Sequence, residues 1–217
     1  MRLKITRGLL SCTMAAVCLG GVIIDQIAVV VGKHVIKTSD IEEDLRVTDF
    51  LNGEAIKSTS DDKRRAAERL IDQEIIRTEI NNGGFRRPPE SQAAALEEQV
   101  RKDRFGGSQA RLKEALSRYG ISEDDLREKL LWQLTVLSFV DQRFRTNTVV
   151  SDQEVRAYYD QHLADLRRQY PKASSYEALQ EKIRDSLQGE RVNKAFTDWL
   201  DQVRNRYRIE YKQEALK

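Results

Sequence analysis

The chain has 217 residues, with 37 lysines and arginines against 35 aspartates and glutamates. Arg2, Lys4 and Arg7 precede the first acid, Asp25, so the remainder carries 34 basic against 35 acidic residues and its charge balance is no nucleic-acid signature. Both cysteines, Cys12 and Cys18, also fall before Asp25, which excludes an internal disulfide or a thiolate metal site in everything after it.

Met1 to Arg7 is a basic start without an acid, and Gly8 to Ile24 carries no charge. Cys18 and Gly20 place small residues where a signal peptidase cuts, so residues 1–24 read as an export signal cleaved near Gly20 or Gly21, with a mature chain over 25–217 that works outside the cytoplasm. The alternative is a retained membrane anchor, because the uncharged run reaches the short edge of what spans a bilayer. A lipoprotein cut before Cys12 has too short an apolar run in front of it.

Ile27 to Val31 is β-branched and apolar, Gly32-Lys33 can turn the chain, and His34-Val35-Ile36 can return as a second strand. Ser39 with Glu42 predicts a capping box opening a first helix, with Ile41 and Leu45 inward and an end near Asn52-Gly53. A second helix opens at Ser60-Asp61-Asp62, buries a stripe of Ala67, Leu70, Ile71, Ile75 and Ile80, and stops at Asn81-Asn82-Gly83-Gly84. A third follows Pro88-Pro89 from Glu90 to about Arg104, with Leu96 and Val100 inward. Ser108 caps a fourth, with Leu112, Ala115, Leu116 and Tyr119 in register, and Gly120 ends it. Ser122 caps a long fifth helix running to about Arg145.

Ser151 and Glu154 predict another capping box and a sixth helix with Val155, Tyr159, His162 and Leu166 on one side. After a break at Gln169 to Ala173, Ser174 and Glu177 predict a third box and a last helix to about Arg206. Its apolar phase slips near Gly189, between Leu187 and Val192, so it either bends or faces two partners. Tyr207 to Tyr211 alternates as a final strand, and the opening hairpin is its natural neighbour. The fold class is therefore mainly α, a multi-helix module closed by a small β-sheet.

Catalytic patterns are missing: there is no phosphate loop, no metal-ligand spacing and no nucleophile motif. His162 on an apolar face reads as a packed histidine, and the acids Glu42-Glu43-Asp44 and Glu123-Asp124-Asp125 read as first-turn charges. The expectation is no catalytic residue, no metal and no cofactor. The fifth helix is apolar on two sides, with Leu126, Leu130, Leu134 and Leu137 on one and Trp132, Val136 and Phe139 nearly opposite. Such a helix is either central to the core or half exposed in a binding groove. In the second case Trp132, Val136 and Phe139 are the client-binding candidates.

The stretches Ile27 to Leu45, Leu70 to Ile80, Tyr119 to Leu131 and Val149 to Tyr159, with the tail Ile183 to Ile209, resemble in order and spacing the SurA/PpiC group of periplasmic folding factors. The resemblance covers most of the chain after residue 24. It implies a SurA-like chaperone module and an ATP-independent holdase. Its partners would be unfolded exported polypeptides, outer-membrane proteins in transit among them, and neither nucleic acid nor a small-molecule substrate. One departure is large: the family usually inserts parvulin prolyl-isomerase domains where this chain has only about a dozen residues near Arg167 to Ser175, well short of the ~50 of a small domain. The two histidines, His34 and His162, cannot furnish a parvulin site. The resemblance thus implies the chaperone module without the enzyme. The alternatives are a membrane-tethered adaptor with one defined partner, contacting the membrane only if the signal is kept, and, third, a degenerate isomerase relative.

Overall fold

The computed structural model describes residues 25–172 and 175–217. The expected export signal and both cysteines lie outside the described residues, as do Ala173 and Ser174. The described chain is mainly α with one small antiparallel sheet.

β1 (Ile27–Val31) and β2 (His34–Lys37) form the expected hairpin, with Val31 opposite His34 and Val29 opposite Ile36. Gly32, at φ 60°, supplies the left-handed turn that a side chain would strain. β3 (Ile209–Tyr211) pairs with the other edge of β1, Val31 opposite Ile209 and Val29 opposite Tyr211, so the strand order is β2-β1-β3. The chain closes on itself, as the alternation at Tyr207 to Tyr211 predicts.

α1 (Thr38–Asn52) begins without the expected Ser39–Glu42 box. β2 runs directly into it, so Lys37 takes the cap position and its backbone N–H donates to Asp40 Oδ2 at 2.8 Å. Ser39 lies inside the first turn and gives its hydroxyl to Asp25 at 2.5 Å. α2 (Ser60–Asn82) starts on a reciprocal Thr59–Asp62 box. It buries Ala67, Ile71, Ile75 and Ile80 as the periodicity requires. α3 (Glu90–Phe105) buries only Ala93 fully; Leu96 and Val100 are half-buried. α4 (Gln109–Tyr119) and α5 (Glu123–Phe144) carry the expected Ser108 and Ser122 caps.

The Ser151–Glu154 box opens α6 (Asp152–Gln161), but the single sixth helix is two. At His162 the backbone leaves the helix (φ −109°, ψ 15°) and the imidazole lies 4.2 Å from the Tyr158 ring, with α7 (Leu163–Gln169) continuing beyond. α8 (Tyr176–Arg204) is capped by Ser175, which accepts from the Ala178 N–H at 3.3 Å, one residue later than the expected box.

The core divides into neighbouring clusters. The sheet packs on α1 and α2 through Val29, Val31, Ile41, Ile71 and Ile75, and is closed by Val203 and by Leu216 in a short tail helix (Gln213–Leu216). A second cluster joins α1, α3, α4 and the first half of α5 around Phe50, Leu112, Leu116, Leu126 and Leu130. A third joins α6, α7 and the first half of α8 through Val155, Leu166, Leu179 and Ile183. A fourth sets Phe139 on Ile76 and Ile80, with Phe144, Phe196 and Trp199 against it. α8 is one unbroken helix whose halves face different partners, the second of the two outcomes its phase slip allows.

Candidate functional site

β2, α1, α2 and α5 meet around an open cleft of about 300 Å³. Its floor is apolar, made by Val35, Ile36, Val47, Leu70 and Trp132. Val35 is 46% exposed, an unusual state for a β-branched residue beside a core strand. Its charged lining is mostly acidic, with Asp40, Glu43, Asp44, Glu74, Asp125 and Glu128 beside two cations of the lining, Arg77 and Lys129. A second cleft of about 240 Å³ shares Trp132, Arg77 and Glu128 with the first and continues past Pro88, Leu131 and Thr135. Trp132 therefore lines both clefts.

Four of these charges are committed to the fold. Asp44 is buried; Arg69 donates to it from Nε at 3.1 Å and Nη2 at 2.7 Å, and Lys129 from Nζ at 2.5 Å. This group ties α1 to α2 and α5, and two cations with good geometry are what a buried carboxylate requires. Arg77 is laid over the Trp132 ring, 4.9 Å from its centroid, with Glu74 at 3.9 Å. Glu74 also meets His34 Nδ1 at 3.0 Å.

The other rim acids are differently placed. Asp125 accepts from the Ser122 N–H at 2.7 Å and so caps α5 with one oxygen. Asp40 spends one oxygen on the Lys37 N–H. Loss of hydration on the cleft wall, and then the charges of Asp125 and Glu128, push the Glu43 carboxyl above its usual range. Among the described residues, no group of three or more His, Cys, Asp or Glu is arranged to hold a metal ion. No helix among them is long and apolar enough to cross a membrane.

The three client-binding candidates of α5 all touch the fourth core cluster, Phe139 as a member and Trp132 and Val136 as half-buried residues packed on it. Trp132 reaches both clefts. Val136 is half-buried against the fourth core cluster, and Phe139, 4% exposed, is one of that cluster's central residues. The stripe Trp132, Val136 and Phe139 is therefore not a free face, and Leu137 of the opposite stripe is 67% exposed instead of packed. Among the cleft acids, Asp40 and Asp125 stand in first turns, where local charge explains them, whereas Glu43, Glu74 and Glu128 lie inside helices where no local pattern ties them to one cleft. Asp44 alone carried a signal, since it stands three residues after Ile41 and beside Leu45 on the inward face of α1.

No protein-family model matches the chain, and no curated protein matches it.

Proposed function

We propose that this protein is an ATP-independent chaperone that holds unfolded, exported polypeptides in the periplasm, with outer-membrane proteins in transit among its clients. The observation that carries the reading is the open cleft with an apolar floor, where Val35 and Trp132 stay accessible beside a solvated rim. Loose capture of extended chains needs accessible apolar and aromatic area without an enclosing pocket. The helical module closed by a hairpin and a late strand, in the element order of the SurA/PpiC group, supports the same reading. So does the basic, then uncharged, opening of the sequence, which has the pattern of an export signal. No chemical step belongs to the proposal: binding of the unfolded client lowers its free concentration and slows aggregation by mass action.

The test is suppression of aggregation for several unrelated unfolded proteins, with and without Trp132→Ser. Broad suppression by the native protein, weakened by the substitution, is the expected result. Tight binding to a single partner with no effect on the others would replace the chaperone by a dedicated adaptor.

A further inference from the structure

The rim of the main cleft holds more negative charge than the fold uses. Asp44 is neutralised by Arg69 and Lys129, and Glu74 has Arg77 at 3.9 Å and the His34 ring at 3.0 Å. Glu43 and Glu128 have no hydrogen bond or ion pair of their own with a described residue, and Asp125 and Asp40 each keep an oxygen clear of their backbone contacts. These four converge from α1 and α5 on one opening. Like charges gathered without cations work against the folded state, and each is normally offset by a neighbour. Here the cations at hand are already shared: Lys129 is bound to Asp44, and Arg46, whose charge reaches Glu43, pairs with Glu42 at 3.9 Å.

The shape limits what can supply the cation. The cavity is at the small end of ligand sites, of the order of one or two side chains. Its floor of Val35, Val47, Leu70 and Trp132 favours an occupant with an apolar body rather than a bare ion. Lysine and arginine combine the two, since their methylene stems lie along apolar surface while the head group stays at a polar rim. Beyond Trp132 the second cleft, with Pro88 and Leu131 on its walls, offers room for the next side chain of an extended peptide.

Resting on the chaperone reading, we propose that the cleft selects client segments in which a lysine or arginine stands among apolar residues, the cation meeting Glu43, Asp125 and Glu128 and its stem and neighbours packing on Val35 and Trp132. Glu43, held above its usual range by desolvation and by Asp125 and Glu128 against the opposing charge of Arg46, gains from an arriving cation. Selection of this kind sorts one stretch of an unfolded chain from another and fixes which part is held.

Short labelled peptides with a central lysine between leucines, and the same peptides with glutamine or glutamate at the centre, test this by anisotropy with the full-length protein. The lysine peptide is expected to bind about fivefold tighter than the glutamine peptide, the sum of two modest exposed ion pairs. Glutamate should bind weakest, and the spread should narrow at about 0.5 M salt. The double variant Glu43→Gln with Glu128→Gln should melt no lower than the native protein and bind the lysine and glutamine peptides alike. Equal binding of all three peptides by the native protein, or a lysine preference that survives in the double variant, overturns the inference and leaves the chaperone reading standing. Binding of none of them overturns both.

Discussion

Trp132 and Phe139 stand two turns apart on the same side of α5, and the fold gives them different tasks. Phe139 is wedged between Phe85 and Trp199, with ring centroids 5.7 and 5.4 Å away, above Ile76 and Ile80. Trp132 has Arg77 on one face and lines the two clefts. Phe139→Ser should therefore cost about 3–5 kcal/mol, the range for emptying a buried aromatic site. Trp132→Ser should cost much less and act mainly on client binding. Thermal melting of the two variants beside an aggregation assay checks this; a Phe139→Ser protein that melts like the native one would show that the site tolerates a hole the geometry does not predict.

α5 and α8 each change their buried side partway along. In α5, Leu126 and Leu130 face the cluster of α1, α3 and α4, whereas Thr135 and Phe139, roughly half a turn round the helix axis, are buried farther along. In α8, Leu179 and Ile183 face α6, while Val192 and Val203 are buried on the other side. Gly189 lies between the halves of α8, inside regular helix, and a Cβ built there meets nothing within 4 Å. Gly189→Ala should thus stabilise the protein by about 0.5–1 kcal/mol, as relief of glycine's helix penalty at an unhindered site. A loss of stability on chemical denaturation would mean that the two halves need a flexible joint. The helices themselves were legible because caps and glycine stops are local: Ser108, Ser122 and Ser151 stand where the sequence puts them. What could not be read was tertiary. Leu137 continues the leucine stripe of α5 into a segment where the core has moved to the opposite side, so it ends exposed. Glu43 and Glu128 belong to helices far apart in sequence, and only packing brings them to one cleft.

At the scale of the molecule, the first and last described strands are tied into one sheet and one core cluster. The Lys212 N–H donates to the Ala28 carbonyl at 2.8 Å, Leu216 is 1% exposed among the sheet residues, and Arg204 bridges Glu68 and Asp72 of α2. Removing Tyr207 to Lys217 should lower the melting temperature of the whole unit by roughly 10 °C, through loss of buried Leu216 and of β3 at about 3 kcal/mol or more. Melting unchanged by the truncation would place the tail outside the cooperative unit. The same closure sets a waiting time during synthesis. β1 is the central strand, but the residues that cover one of its edges, Ile209 to Tyr211, are made about 180 positions after it. At ribosomal speed that interval is on the order of ten to forty seconds. Throughout it the nascent chain presents an unpaired strand edge, the feature through which chains stick to one another. Until β3 emerges, the protein itself needs the kind of shelter it is proposed to give.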